Sequence, residues 1–207
     1  RKDPVLHIDL AATSLYFAGI DIPKYMEART LFGPDAQARK FAVSARDRCD
    51  ETYDRIRAVR TQRFKYIRNG YHERPHLQPC AYKDNKPTYL AIRDWGKNGK
   101  LNELQQRLLL SPNRSPEELY DLKTDPWELK NLANDPKHAK TLLKMRKSLD
   151  QWIKETGDQG QKVESMKMYD SDMKIYIDGQ ASRGRQERAD EIRANVDQMK
   201  KWWKEGK

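Results

Sequence analysis

The sequence predicts an α+β fold, with strands in the middle of the chain and helices dominating its end. Three observations support this fold class. Apolar and charged residues alternate between positions 54 and 69, which is the period of a strand. Apolar residues recur every three or four positions between 135 and 156, and again between 185 and 205, which is typical of amphipathic helices.

The N-terminal part of the chain predicts only one regular element. A short helix is expected from Asp9 to Gly19, because Leu10, Ser14 and Phe17 fall near one face and glycine ends helices readily. Residues 20–45 contain two prolines and predict a loop around short elements.

The alternating stretch from 54 to 69 predicts two strands. The short connection at 61–63 favours an antiparallel hairpin, although it lacks the Asn-Gly pair of a tight turn. Residues 70–89 contain three prolines and predict a loop. A helix is expected from Trp95 to Leu110, followed by a short strand at 119–122.

Two proline-led helix starts follow. Asp125 is suited to an N-cap, with Pro126 at the first helical position and Glu128 completing a capping box. Asp135 and Pro136 repeat the pattern and predict a longer helix to about Thr156. The expected inward face of that helix is Leu142, Met145, Leu149, Trp152 and Ile153. The amphipathic stretch at 185–205 predicts a last helix, whose apolar stripe either docks on the protein's own core or contacts a membrane or partner.

Composition limits the core and favours anionic partners. The chain has 207 residues, of which 37% are hydrophobic and 35% charged, so a modest core is expected and some apolar surface is left for a neighbour. The net charge of +10 predicts attraction to nucleic acid, anionic lipid or sulfated polysaccharide. No apolar run approaches the roughly 20 residues of a spanning helix, so no membrane span is predicted.

The sequence contains no self-contained catalytic signature, such as a phosphate loop, a nucleophile elbow or a zinc-protease motif. No catalytic or metal-ligating residue is therefore assigned. Cys49 and Cys80 lack metal-ligand spacing, and both a disulfide and a pair of free buried thiols remain open.

The most promising residues for binding an anionic ligand are arginines. Five of them alternate with four acids between 46 and 60, which fits either a solvated network of ion pairs or a sulfate-binding surface. The interleaved acids disfavour nucleic acid, because they repel phosphates. The loop at 71–79 adds polar groups, although a purely structural loop is an alternative. The predicted substrate-binding residues are Arg46, Arg48, His72 and Arg74.

Three segments resemble the sulfatase family of the alkaline-phosphatase-like class. The first is His7 to Leu15, closed by Ala18-Gly-Ile20. The second is Arg46 to Asn69, which ends Arg63-Phe-Lys-Tyr-Ile-Arg-Asn69 and resembles the strands that begin the family's C-terminal subdomain. The third is Glu117-Glu-Leu-Tyr-Asp-Leu122 followed by Asp125-Pro-x-Glu-x-x-Asn-Leu132. Together they span about residues 5 to 155. The resemblance implies that 1–45 is the end of an α/β catalytic domain, 46–157 a C-terminal subdomain with a small antiparallel sheet and packed helices, and 158–207 an extension with an amphipathic helix.

The resemblance also implies a function. Sulfatases hydrolyse sulfuric esters with a formylglycine, made within a Cys/Ser-x-Pro-x-Arg motif, beside a calcium ion. Cys49 is followed by Asp-Glu-Thr and Cys80 by Ala-Tyr-Lys, so both groups are expected outside this chain, in a missing N-terminal catalytic domain. The chain alone is then expected to be inactive, its parent acts on a sulfated carbohydrate, and the location is periplasmic, secreted or lysosomal. The alternatives are a non-enzymatic basic module that binds sulfated polysaccharide or another polyanion, and a basic helical protein that binds nucleic acid or an anionic surface.

Overall fold

A computed structural model of the chain describes residues 2–160 and 162–207. Its α+β architecture confirms the predicted fold class. The strands are β1 (Ala42–Cys49), β2 (Thr52–Arg60), β3 (Phe64–Asn69) and β4 (Glu117–Asp121). The α-helices are α1 (Ile8–Phe17), α2 (Ala81–Asp84), α3 (Pro87–Lys97), α4 (Glu103–Gln105), α5 (Ala139–Thr156), α6 (Met166–Ala181) and α7 (Gln186–Lys204). In this part of the chain no helix has the length and apolar character needed to cross a membrane.

The strands form a four-stranded sheet in the order β1-β2-β3-β4. Its last two strands are antiparallel, because the Asn69 amide donates to Pro116 O at 2.9 Å while the Leu122 amide donates to Arg63 O at 2.7 Å. The predicted hairpin at 54–69 is confirmed as β2 and β3. Residue periodicity did not predict strand β1. Its first half belongs to residues 20–45, which were predicted to form a loop, and its second half belongs to the charged cluster at 46–60, which was considered for ion pairing and sulfate binding.

The chain divides into two compact units that interleave along the sequence. The first unit comprises Arg1–Ser44, Arg57–Ile67 and Glu117–Lys154, and the second Ala45–Ile56, Arg68–Pro116 and Glu155–Lys207. The three-segment division at 45/46 and 157/158 stays a prediction.

The core of the first unit joins strand and helix residues. Val59, Tyr66 and Leu119 from the strands pack with side chains of α5. The buried residues of α5 are Leu142, Met145 and Leu149, with Trp152 and Ile153 partly buried against them, as predicted. The Asp135 side chain accepts a hydrogen bond from the Lys137 amide at 2.9 Å, which confirms the predicted cap; a 3₁₀ turn at Pro136–His138 leads into α5.

The core of the second unit is largely helical. Tyr169 and Met173 of α6 pack against Ile192, Val196 and Met199 of α7. The apolar stripe of α7 therefore docks on the protein's own core, which was one of the two alternatives. Helix α6 was not predicted, because its apolar residues are interrupted by charged ones and give only a weak helical period.

The helix expected at Trp95–Leu110 begins earlier and is interrupted, although the last helical turn does end at Leu110. Helix α3 starts at Pro87, inside the segment predicted as loop, and ends at Lys97. Gly99 then adopts a φ of +64°, which breaks the helix. A new start follows at Asn102, whose capping box with Gln105 opens α4 and a π-helical turn at Gln106–Leu110.

The helix predicted after Asp125 is wrong. Residues 122–130 form turns, and Glu128 has a φ of +56°. The Asp125 side chain accepts from the Lys130 amide at 2.8 Å, so it closes a turn instead of capping a helix. The Glu128 carboxylate pairs with Lys65 at 2.7 Å and is unavailable for a capping box.

Helix α1 forms as predicted, but its buried face is not the expected one. Leu10 and Phe17 are 54% and 69% exposed. The inward side instead carries Asp9, Ala12 and Thr13. Hydrogen bonds explain this orientation, since the Asp9 carboxylate accepts from the backbone of Leu6 and Arg29 and from the Arg39 guanidinium.

Candidate functional site

Arg46 on β1 lines a cavity of about 240 Å³ in the second unit, called here the Arg46 cavity. The other residues around it come from the 70–80 loop and from the helical segments that follow. They are His76, Leu77, Gln78, Cys80, Lys83, Tyr89 and Leu109. The local sequence explains the arrangement, because Pro79 and Pro87 punctuate the chain between the loop and α3 and leave only the short α2 between them.

The Arg46 cavity combines cations with an unused hydrogen-bond acceptor. Arg46 and Lys83 have no acidic partner within residues 2–160 and 162–207. The Oε1 atom of Gln78 is buried and has no hydrogen-bond partner in the described chain. A guanidinium offers paired donors to sulfate or carboxylate oxygens. The cavity therefore suits a ligand that carries both an anionic group and a hydroxyl donor.

A buried ion pair holds Gln78 in place. The Arg114 guanidinium donates to the Asp54 carboxylate at 3.0 and 2.6 Å, and the two side chains are almost completely buried. The Gln78 amide donates to the same carboxylate at 2.8 Å, which fixes the direction of its free oxygen. The acids between 46 and 60 are thus not all on a solvated face: Asp54 and Glu51 are fully buried.

Arg48 lies away from the Arg46 cavity and is engaged by acids. Its guanidinium pairs with Glu164 at 3.0 Å and Asp172 at 2.7 Å, both from the segment that leads into and forms α6. Burial alone would lower the pKa of Arg48, but the hydrogen bond to Asp172 and the charge of Glu164 outweigh it and raise that pKa above its ordinary value. Arg48 and Asp172 line a separate cavity of about 440 Å³ together with Asp50.

Arg74 is buried, and its hydrogen bonds go to backbone carbonyl groups of the protein. It donates to Tyr53 O at 2.7 Å and to Lys207 O at 2.6 Å. Its guanidinium also lies over the Tyr71 ring at 4.2 Å and the Trp202 ring at 5.4 Å. Burial lowers the pKa of Arg74, although the neighbouring Tyr71 and Asp54 oppose that shift.

His72 is half-buried, and its carbonyl accepts from the Arg114 amide at 2.8 Å. Of the four predicted substrate-binding residues, only Arg46 lines the basic cavity, and the substrate roles of all four stay predictions. No sequence pattern pointed to Lys83, Gln78 or Tyr89, because no periodicity or motif surrounds them. His76 lies in the 71–79 loop, whose polar groups were considered as a whole.

No family model matches the chain. A curated relative, an ulvan-active sulfatase of Formosa agariphila, is 39% identical over 167 residues, which cover 79% of this chain and 28% of that protein. This relative is a sulfatase, which agrees with the resemblance seen in the sequence. A second ulvan-active sulfatase of Formosa agariphila is 27% identical over 159 residues, and a Δ4,5-hexuronate-2-O-sulfatase of Bacteroides thetaiotaomicron is 55% identical over 42 residues. The chain spans under a third of the length of each of these relatives.

Solved sulfatase structures are also similar. A 2-O GAG sulfatase matches with 25% identity and a TM-score of 0.49, over 75% of this chain and 26% of that one. A sulfatase in complex with D-glucosamine-2-N,6-O-disulfate matches with 22% identity and a TM-score of 0.46, over 75% and 25%. Both TM-scores are below 0.5, so the family assignment rests on the sequence relatives.

Proposed function

We propose that this chain is the C-terminal part of a sulfuric ester hydrolase that acts on a sulfated carbohydrate. The observation that carries the proposal is the 39% identity with an ulvan-active sulfatase over most of the chain. The catalytic centre lies elsewhere in the polypeptide, in a preceding catalytic domain. A periplasmic, secreted or lysosomal location is part of the proposal, because the resemblance to sulfatases implies it.

The family's cofactors belong to that other part of the protein. Calcium prefers a cage of oxygen ligands. Among residues 2–160 and 162–207, the group close enough to share a metal ion contains two thiols and only one carboxylate, which does not fit calcium. Neither cysteine precedes Pro-x-Arg, so neither fits the formylglycine motif. The proposed enzyme therefore uses a formylglycine and a calcium ion that other residues hold.

The role proposed for this chain is to contact the anionic saccharide. The Arg46 cavity supports it, because Arg46 and Lys83 supply positive charge and the buried Gln78 Oε1 supplies an acceptor. A sulfate or uronate carboxylate pairs with the guanidinium, while a sugar hydroxyl donates to Gln78. Tyr89 offers an aromatic wall next to these polar groups.

The test uses the complete polypeptide and measures sulfate release from ulvan and from glycosaminoglycan oligosaccharides. Arg46→Ala removes a charged hydrogen-bonding group, which is worth about 1.5 kcal/mol or more, so KM is expected to rise about tenfold. Arg46→Lys keeps the positive charge but loses the paired donors of the guanidinium, so its KM is expected to lie between those of the wild type and Arg46→Ala. Arg183→Ala is the matched control, because Arg183 is exposed and lies outside the cavity.

Each part of the proposal can fail separately. If Arg46→Ala and Arg183→Ala give the same KM, the Arg46 cavity does not bind substrate. If the wild-type polypeptide releases no sulfate from any of these saccharides, the hydrolase proposal is wrong. The 207-residue chain alone is expected to leave a chromogenic aryl sulfate intact.

The second candidate is a non-enzymatic module that binds sulfated polysaccharide. The net charge of +10 and the basic Arg46 cavity favour it. Retention on heparin that survives moderate salt, combined with no sulfate release by the complete polypeptide, would support this candidate over the hydrolase.

A further inference from the structure

The turn between β1 and β2 brings three metal-binding side chains together. Cys49 ends β1, Asp50 forms the turn, and Cys80 lies just before α2. The two Sγ atoms and one carboxylate oxygen of Asp50 all lie within 4.8 Å of one another. Chain spacing gave no hint of this cluster, because 31 positions separate the two cysteines and only the packing of the 70–80 loop brings them together.

Both cysteines are free thiols. Cys80 is buried at 1% exposure, Cys49 is half-buried and Asp50 is exposed. A small solute can therefore reach the cluster from the Asp50 side. Arg48 lies near Asp50, but Glu164 and Asp172 already engage its guanidinium.

A second observation favours a cation at this place. Glu51 is fully buried, and its Oε1 accepts from the Ala81 amide at 2.5 Å and from the Asn195 amide at 2.8 Å. Its Oε2 is buried with no hydrogen-bond partner in the described chain. Glu51 directly follows Asp50 and accepts from the amide of Ala81, the residue after Cys80, so its carboxylate is anchored next to two residues of the cluster. Unpaired buried carboxylate oxygens are costly, and a neighbouring cation compensates for them.

We propose that Cys49, Asp50 and Cys80 form a binding site for a thiophilic divalent cation of the zinc type, with water as the fourth ligand. Such an ion takes four ligands at roughly 2.0 to 2.3 Å, which places tetrahedral donor atoms roughly 3.5 to 3.8 Å apart. The three side chains need to close by only about 1 Å to reach that geometry. Binding releases the two thiol protons to solvent, and the thiolates coordinate the ion.

The alternative to a bound metal ion is a disulfide between Cys49 and Cys80. It would leave the negative charges of Asp50 and Glu51 as they are, whereas a divalent ion neutralises them and uses Asp50 as a ligand. A harder ion such as calcium is disfavoured because it binds thiolates poorly. The charges next to the cysteines therefore favour the metal over the disulfide.

The experiment titrates Co²⁺, then Zn²⁺ in competition, into the tag-free 207-residue chain with its thiols reduced. The same titration is repeated on the complete polypeptide. One equivalent of Co²⁺ is expected to give a thiolate-to-cobalt charge-transfer band and the visible absorption of a tetrahedral ion, and Zn²⁺ is expected to abolish both. Cys49→Ser and Cys80→Ser are each expected to weaken binding by at least about tenfold, and Asp50→Asn by less.

Asp197→Asn is the control, since Asp197 is exposed on α7 and remote in sequence from the cluster; it is expected to bind Co²⁺ as wild type does. Far-UV circular dichroism establishes that each variant is folded. If Cys80→Ser does not fold, Asp50→Asn still tests the site, because Asp50 is exposed and its substitution does not disturb the core. Two reactive thiols without a thiolate band would overturn the proposal. So would the absence of reactive thiols, with a mass lower by two hydrogens, in chain purified without reductant, because that result identifies a disulfide.

Discussion

At the residue scale, a single carboxylate orients the first helix. Asp9 is 1% exposed and receives the Arg39 guanidinium at 3.1 and 2.5 Å, together with the amides of Leu6 and Arg29. Burial by itself would raise the pKa of Asp9, but these hydrogen bonds and the Arg39 charge outweigh it and lower that pKa to about 2. The sequence shows an aspartate in the first turn of α1, but no pattern in it predicts that Arg39 is its partner.

The depressed pKa predicts a specific pH dependence of stability. A carboxyl group whose pKa is lower in the folded protein than in the unfolded chain stabilises the fold above the unfolded value, near 3.9, and that stabilisation is lost as pH falls towards about 2. Asp9→Asn is therefore expected to lower the free energy of unfolding by about 2 kcal/mol near pH 6 and to change little near pH 2. Urea unfolding monitored by circular dichroism across that range measures the difference.

Asp35→Asn serves as the matched control, because Asp35 is exposed in the same unit. It is expected to leave the stability unchanged at both pH values. Equal losses for Asp9→Asn at pH 6 and pH 2 would contradict the electrostatic explanation and leave only a packing effect.

At the element scale, strong patterns predicted the structure and weak ones did not. Helices α5 and α7 were predicted closely, because their apolar residues repeat with a helical period over 18 and 19 residues. Strand β1 escaped prediction because three consecutive charged residues, Arg46, Asp47 and Arg48, interrupt any period-2 alternation along it. The segment after Asp125 shows the opposite error, because a helix was predicted where none forms. Its sequence fits a helix start, but Glu128 pairs with Lys65 instead of completing the capping box.

The candidate site was harder to predict than the elements around it. Arg46 was selected from its chemistry, and it does line a basic cavity. Its neighbour Gln78 comes from the 70–80 loop and is held by Asp54, which pairs with Arg114, 60 positions away. Contacts of that range leave no local pattern in one sequence.

Helix α5 offers a matched pair of leucines to test which face is buried. Leu149 is 0% exposed in the core of the first unit, whereas Leu143 on the same helix is 51% exposed. Leu149→Ala is expected to lower the free energy of unfolding by about 3 kcal/mol, because it removes buried methyl groups and leaves a cavity. Leu143→Ala, measured by the same denaturant titration, is expected to cost less than about 1 kcal/mol. Similar losses at both positions would mean that the helix packs in another orientation.

At the scale of the whole molecule, the first unit exposes a large apolar surface. Phe17 and Phe32 have ring centroids 5.9 Å apart, and Tyr16 lies 5.4 Å from Phe17. The exposed apolar residues of this segment are Val5, Ile8, Leu10, Tyr16, Phe17, Ile20, Tyr25 and Phe32. At least the rings of Tyr16, Phe17 and Phe32 are neighbours, and clustered exposed apolar side chains mark an interface. The proposed catalytic domain of the same polypeptide is the partner we expect for it.

Hydroxyl-radical footprinting can test that interface. Phe17 and Phe32 are expected to be labelled several-fold less in the complete polypeptide than in the 207-residue chain, because the catalytic domain covers them. Ile175 on α6 has similar exposure but lies outside this surface, and its labelling is expected to stay the same. Equal labelling of Phe17 and Phe32 in the two proteins would show that this surface faces solvent in the enzyme.

Strands β1, β2 and β3 each begin in one compact unit and end in the other. Neither unit is consequently a contiguous stretch of gene. Truncations aimed at isolating one of them would therefore sever hydrogen-bonded strands. A chimaera that exchanged only positions 42–154 would also divide both units and would separate Arg48 from its partners Glu164 and Asp172, so residues 1–207 are best exchanged together.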